Sequence, residues 1–183
     1  MDSVRERMVV GAAELLARAG LAEASFRNVV TRTGTPRGSI YHHFPGGKDE
    51  LVGETMRFVG GRLVGALRRT PVDGPQDVVL AFAGLFRRLL VETTAQAGCA
   101  VAAVVSGAPS GTAPSAAAAE VFRSWRRELE ALFGAAGVEA DRCASLAVVT
   151  VAAVEGALVL ARADGDLAAF DLAVEELVRL VSR

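Results

Sequence analysis

Scarce polar side chains gather in one short run of this chain. The only tyrosine, the only lysine and both histidines lie between Tyr41 and Lys48. Three arginines lie just upstream: Arg27, Arg32 and Arg37. No acidic residue occurs in the stretch 24–48, although the whole chain has a net charge of -1. The stretch is therefore locally cationic, as expected for a surface that contacts phosphate groups.

Each of these side chains suits a task at a nucleic acid. Arg37 can make a bidentate pair with a guanine edge or grip a phosphate, and Ser39 can read either a base or a backbone oxygen. Gly38 lets the backbone approach closely. Tyr41 and His43 can pack a ring on the sugar and direct a polar tip to a phosphate. An ordinary solvated side chain is the alternative for each residue.

Two further cations flank this group. Lys48 follows the loop Pro45-Gly46-Gly47 and opens a predicted fourth helix, so its ammonium and the free N–H groups of the helix could hold one phosphate together. Arg27, early in the second predicted helix, would contact phosphates on the other side of the nucleic-acid groove.

Metal binding and catalysis are weaker interpretations of the same residues. Adjacent histidines on a helix point about 100° apart, and no carboxylate or cysteine stands at a complementary offset. Cys99 and Cys143 lack the spacing of a metal or redox motif, so we expect buried free thiols. Nothing places either cysteine beside a histidine. We therefore expect no metal, no cofactor and no enzymatic activity.

The elements that must position these residues are helices. Ala, Leu, Val and Arg dominate the composition, which predicts an all-α protein. Apolar spacing predicts helices over 3–19, 26–33 and 36–43, with Ser25 capping the second, Gly34 ending it and Pro36 in the first turn of the third. Two short helices meeting at a glycine turn are typical of a helix-turn-helix unit, whose second helix enters the major groove of DNA.

The rest of the chain predicts six more helices, about nine in all, over 49–69, 75–94, 98–105, 115–134, 140–163 and 167–182. The segment Ser106–Ser115, rich in Gly, Pro, Ser and Ala, is expected to be a mobile loop. The last two helices could pair with their copies as a four-helix bundle in a homodimer, with packing inside one monomer as the alternative.

The stretch Cys143–Ala161 is strongly apolar, and its only charge is Glu155. A hydropathy window would flag it as a membrane span. We favour burial between its own core and a partner subunit, since a carboxylate is costly in lipid. The N-terminus also lacks the charged-then-apolar order of a secretory signal, so we expect a cytoplasmic protein without membrane contact.

At this point the residues resemble a known family. The segment Ser25–Leu51 contains Gly-x-x-x-Gly-Ser-Ile-Tyr-x-His-Phe followed by Lys-x-x-Leu, which resembles the DNA-binding domain of TetR/AcrR transcriptional regulators. The form Phe-Pro-Gly-Gly-Lys, together with Gly98–Val104, is similar to the LmrA/YxaF-like branch. The resemblance implies DNA contacts by Arg27, Arg37, Gly38, Ser39, Tyr41, His43 and Lys48.

The resemblance also implies the organisation of the chain. Residues 1–48 would form the helix-turn-helix DNA-binding domain and 49–183 the ligand-binding and dimerisation domain. The protein would be a homodimeric repressor on a palindromic double-stranded operator, released by an apolar or aromatic small-molecule inducer. By analogy the pocket would be lined by Phe82, Phe86, Leu89, Trp125, Leu129 and Glu155, with plain core as the alternative. A helical small-molecule-binding or scaffold protein whose head docks protein is the alternative function.

Overall fold

The computed structural model describes residues 3–182, which contain nine helices and no strand. The all-α prediction is confirmed. The helices are α1 (Val4–Ala19), α2 (Phe26–Thr33), α3 (Arg37–His43), α4 (Gly47–Leu67), α5 (Pro75–Glu92), α6 (Ala100–Gly107), α7 (Ala113–Ala135), α8 (Ala140–Asp164) and α9 (Ala168–Val181).

Local capping chemistry sets the ends of the first helices. The Ser3 hydroxyl accepts from the Glu6 N–H at 3.1 Å, and the Glu6 carboxylate accepts from the Ser3 N–H, which lowers the pKa of Glu6. The Ser25 hydroxyl accepts from the Asn28 N–H at 3.2 Å, as the sequence predicts. Gly20 ends α1 at φ +83° and ψ -177°, a backbone region that suits glycine.

The chain forms two compact units. The first consists of the residues up to Gly61 together with Cys99–Phe122, and the second of Arg62–Gly98 together with the chain from Arg123 onward. Helices α4 and α7 each contribute residues to both units. The domain boundary predicted at 48/49 falls in the first turn of α4 and stays a prediction.

The first unit has its core where α1 to α4 meet. Its buried side chains are Met8, Val9, Ala12, Val29, Val30, Ile40, Phe44 and Leu51. Helices α1 and α2 approach closely at Gly11, since a Cβ there would overlap the Thr33 methyl group. Helix α6 packs on α1, and Gly107 at its end lies against the side chain of Leu21. The helix-turn-helix is thus held by apolar packing from beneath.

In the second unit α5, α8 and α9 pack against one another. The largest fully buried side chains there include Phe82, Trp125, Phe133 and Phe170. On the surface Arg87 donates two hydrogen bonds to Asp171, at 2.8 and 2.9 Å. This bidentate bond lowers the pKa of Asp171 and raises that of Arg87.

Helix α8 carries the apolar stretch noted in the sequence. Within residues 3–182 it is the one helix long and apolar enough to cross a membrane, and 44% of its most apolar stretch is buried inside the protein. Core helices of water-soluble proteins have the same composition. The other side of α8 is solvent-facing and apolar in the single chain, as Val159 at 67% exposure shows.

Two local predictions are wrong. The predicted loop 106–115 is shorter, because α6 continues to Gly107 and α7 begins at Ala113. Alanine favours helix on both sides, and Pro114 is tolerated in the first turn of α7. Pro36 precedes α3 as its N-cap, with ψ 133°, instead of lying in the first turn.

Candidate nucleic-acid interface

The turn between α2 and α3 is fixed by backbone conformation and by a pair of threonines. Gly34 adopts the left-handed conformation at φ 63°, which ends α2 as predicted. Thr35 is buried, and its Oγ1 lies 2.8 Å from Oγ1 of Thr33, whose hydroxyl also donates to the Val29 carbonyl. The turn between the two helices is therefore held by residues that are neighbours in the sequence.

Helix α3 turns one row of side chains inward and another outward. Ile40 and Phe44 are buried, as the sequence predicts. Arg37 and Tyr41 occupy the outer row, and Tyr41 is 68% exposed. Its ring and the Phe26 ring form a T-shaped pair with centroids 5.3 Å apart. This contact supports an aromatic ring and hydroxyl that would otherwise swing freely in solvent.

A groove between α2 and α3 brings three predicted DNA contacts together. Its volume is about 250 Å³, and it is lined by Phe26, Arg27, Val30, Arg37, Ile40 and Tyr41. Arg27 and Arg37 form no ion pair within residues 3–182, whereas Arg32 on α2 pairs with Glu14 at 2.7 Å. The two guanidinium groups at the groove are thus available to an external anion such as a phosphate.

The other predicted contacts on α3 are less prominent. Gly38 is exposed in the first turn of the helix, and Ser39 and His43 are half-buried. The His43 ring meets the His42 ring edge-on at 5.6 Å. Among the described residues no group of three or more His, Cys, Asp or Glu side chains is arranged to hold a metal ion.

Lys48 differs from the others, because its ammonium already has a partner in the protein. Its Nζ donates to the backbone carbonyl of Leu21 at 2.6 Å, which ties the start of α4 to the loop after α1. An ammonium has three protons, so this bond leaves capacity for a phosphate. The phosphate contact of Lys48 stays a prediction.

Sequence reasoning missed Arg5, whose side chain reaches the end of the predicted DNA-reading helix. Its Nε donates to the carbonyl of His43 at 3.4 Å, and its guanidinium lies over the Phe44 ring, 4.9 Å from the centroid. It also forms ion pairs with Glu50 and Glu54 of α4. The spacing of these two acids by one helical turn was the only signal in the sequence, and it is a common one.

The similarity of this chain to known proteins covers more than the helix-turn-helix. Residues 9–55 match the family described as bacterial regulatory proteins, tetR family, and 75–176 match the family described as transcriptional regulator LmrA/YxaF-like, C-terminal domain. An uncharacterised HTH-type transcriptional regulator of Mycobacterium tuberculosis is 35% identical over 99% of this chain and 95% of its own length. The chain belongs to the TetR family.

Other relatives of this TetR-family chain are also similar to it over nearly the whole length of both chains. The uncharacterised HTH-type regulator YxaF of Bacillus subtilis is 25% identical over 98% of this chain and 95% of its own length. The crystal structure of a TetR transcriptional regulator from Legionella pneumophila superposes with a TM-score of 0.85 at 20% identity, covering 99% of this chain and 98% of the other. The chain is therefore a DNA-binding transcriptional regulator, with the helix-turn-helix in its N-terminal part.

The predicted ligand-lining residues lie in the second unit of this TetR-family regulator. Phe82, Phe86 and Trp125 form one ring cluster, with centroids 5.2 to 6.1 Å apart. Leu129 is buried one turn beyond Trp125, and Leu89 and Glu155 are half-buried. The structure thus brings the three rings together, and their role as a ligand surface stays a prediction. Cys99 and Cys143 are buried free thiols, as predicted.

Proposed function

We propose that this regulator is a homodimeric repressor that reads a palindromic operator with α3 and leaves it when a small molecule binds the second unit. The exposed row of Arg37 and Tyr41 on α3 carries the proposal. Tyr41 is the most exposed large hydrophobic side chain of the described residues, and it sits in the middle of a surface with unpaired arginines. This pattern suits a surface that meets a sugar-phosphate backbone and base edges.

In this proposal the predicted DNA contacts divide by chemistry. Arg37, in the first turn of α3, reads a base edge or a neighbouring phosphate, and Ser39 and the exposed backbone at Gly38 lie beside it. Tyr41 and His43 fix the register on the sugar-phosphate chain. Arg27 contacts phosphate from α2, and Lys48 contacts phosphate while it keeps its bond to Leu21.

The dimer proposal is supported by exposed apolar side chains on α8 and α9. On α8 these include Val148, Val149, Val159 and Leu160, which recur at helical spacing. On α9 Leu172 is 66% exposed. Burying an apolar side chain of this size stabilises a complex by roughly 1.5–3 kcal/mol. Two copies paired through these helices would present two α3 helices to two half-sites of an operator.

The ligand proposal is supported by the ring cluster of Phe82, Phe86 and Trp125 in the second unit. Edge-to-face rings can separate to accept a flat apolar or aromatic molecule at the cost of their mutual contacts. Glu155 on α8 would then face a cationic or hydroxylated group of the ligand. Ligand binding lowers operator affinity by favouring a spacing of the two α3 helices that DNA disfavours. Such a repressor acts in the cytoplasm.

The deciding experiment measures DNA binding by fluorescence anisotropy. The purified protein is titrated onto a labelled operator obtained by selection from random DNA, with a shuffled duplex as the control, across a series of salt concentrations. We expect selective binding that weakens steeply as salt rises. Equal and weak binding to both duplexes would contradict the proposed function. With an operator in hand, compounds that release the labelled DNA identify the ligand.

A further inference from the structure

Arg5 joins the end of α3 to α4 through several groups at once. Its guanidinium bonds to Glu54, lies 3.5 Å from the carboxylate of Glu50 and stacks over the ring of Phe44. Its Nε donates to the carbonyl of His43, the last residue of α3. All of these residues lie in the first unit. One side chain therefore connects α1, the end of α3 and two turns of α4.

The electrostatics of this cluster favour a fixed arrangement. The last carbonyl groups of a helix carry partial negative charge, and a cation beside them is stabilising. Glu50 also accepts the Gly46 N–H at 2.7 Å, so the loop between α3 and α4 is held by the same carboxylate that meets Arg5. The side chain of Glu54 is 19% exposed, which protects its ion pair with Arg5 from solvent more than that of Glu50, at 30%.

Helix α3 needs such support because it is short. It has seven residues, and Ile40 is its one buried side chain, with buried Phe44 as its C-cap. Apolar packing at only these two positions resists a tilt of the helix less than a longer row of buried side chains would. A tilt displaces Arg37 and Tyr41 on the outer row, and a displacement of about 1 Å is enough to spoil hydrogen bonds to base edges.

We propose that Arg5 is a positioning residue for sequence-specific DNA reading. It touches no DNA, and it holds α3 at the angle to α4 at which the outer row meets the base edges. This inference rests on the proposed function, since it concerns how the same surface is oriented. Selectivity between operator and unrelated DNA depends on Arg5, while the general attraction to phosphate does not.

The test compares Arg5→Met with Arg7→Met. Arg7 is an exposed arginine on the same helix, so both variants lose one positive charge from α1. Anisotropy titrations on the selected operator and on its shuffled form give affinities and salt slopes. For Arg5→Met we expect the ratio of the two affinities to fall about tenfold, a usual size of coupling within one ion-pair network, with an unchanged salt slope. Arg7→Met should keep the ratio.

Three further variants separate positioning from simple loss of stability. Glu54→Gln should lower the affinity ratio by a similar factor, and the double variant with Arg5→Met should be no worse than either single one. Arg5→Lys restores the charge next to Glu54 without the second arm to His43, so it should recover the melting temperature more than the selectivity. Circular dichroism confirms that each variant is folded at the temperature of the titration.

The outcomes are distinct. Equal losses on operator and shuffled DNA, or a shallower salt slope, would show that Arg5 contacts phosphate and would overturn the inference. Unchanged selectivity in folded Arg5→Met would overturn it as well, while the proposed function stands. If the unaltered protein fails to distinguish the operator from shuffled DNA, the proposed function itself is wrong, and the inference falls with it.

Discussion

Helices α3 and α8 expose opposite chemistry. Helix α3 buries Ile40 and turns Arg37 and Tyr41 outward, so its exposed side is polar and cationic. Helix α8 buries one apolar side within the second unit and leaves another apolar side in solvent, with Val159 at 67% and Leu160 at 52% exposure. Water tolerates the first arrangement and disfavours the second. The comparison indicates that the exposed side of α3 suits a charged binding partner and that of α8 an apolar one.

The largest effect should come from reversing the chemistry of α8. Replacing Val159 and Leu160 together by Glu places carboxylates without partners in the proposed dimer interface, and we expect the dimer dissociation constant to rise roughly 1,000-fold or more. Sedimentation equilibrium measures it. Leu80→Glu on α5 is the control, because Leu80 is 50% exposed and belongs to neither of the two helices of the proposed interface. An intact dimer in the double variant would contradict the assignment of α8.

Removing the polar row of α3 should have the next largest effect. Arg37→Ala or Tyr41→Ala is expected to weaken operator binding by roughly 10- to 100-fold while leaving the dimer intact, since each side chain lies on the proposed DNA-reading surface and contributes little to the core. Tyr41→Phe keeps the ring contact with Phe26 and isolates the hydroxyl. Arg32→Ala, which removes a cation paired with Glu14, should cost less. Loss of folding in the α3 variants would show that this row is structural.

A glycine pair tests the packing beneath the helix-turn-helix. Gly11→Ala should destabilise the protein by about 1–3 kcal/mol, because the new methyl group overlaps the side chain of Thr33 where α1 meets α2. Gly61→Ala, at an exposed position of α4 with no atom within 4 Å of the new methyl, should stabilise it by up to about 1 kcal/mol. Urea denaturation measures both. If both substitutions change the free energy of unfolding equally, α1 and α2 can move apart to accept the new methyl group at no cost.

The smallest effect concerns the pH dependence of the second unit. The hydrogen bonds from Arg87 lower the pKa of Asp171, so their contribution to stability is present above the unfolded-state pKa and is lost as pH falls through the folded-state pKa. Asp171→Asn should flatten the acid limb of the stability curve by less than about 1 kcal/mol, because the Asp171 side chain is 40% exposed. Thermal melts across acid pH measure it. If adding Asp171→Asn to Arg87→Met flattens the acid limb further, the effect of Asp171 does not come from its pair with Arg87.

Helix positions followed closely from the sequence, because their end signals are local. Ser25 and Gly34 bound α2 as predicted, and apolar spacing located the long helices to within a few residues. The loop 106–115 was overestimated, since its Gly, Pro and Ser content concealed the last turn of α6 and the first turn of α7. Composition describes a segment as a whole, whereas a helix end depends on a few bonds.

The candidate site was predicted unevenly for a similar reason. Arg37 and Tyr41 were recognisable from residue type and from their shared row on a short helix. Arg27 was recognisable from its type and its place early in α2, and the structure places all three around one groove. Lys48 was predicted to contact phosphate from its place at a helix start. That place gave no sign of its bond to the carbonyl of Leu21, which is 27 positions away in the sequence. Arg5 went unnoticed because its partners lie on two other helices.

The sequence by itself determined the helical class, the helix-turn-helix and the cationic row on α3, because capping, periodicity and local charge act over a few neighbouring residues. The tertiary structure alone decided which distant groups meet. It placed Arg5 between α3 and α4, Lys48 on the loop after α1, and the rings of Phe82, Phe86 and Trp125 in one cluster. Such contacts arise from the packing angles of whole helices, which depend on the fit of many side chains at once.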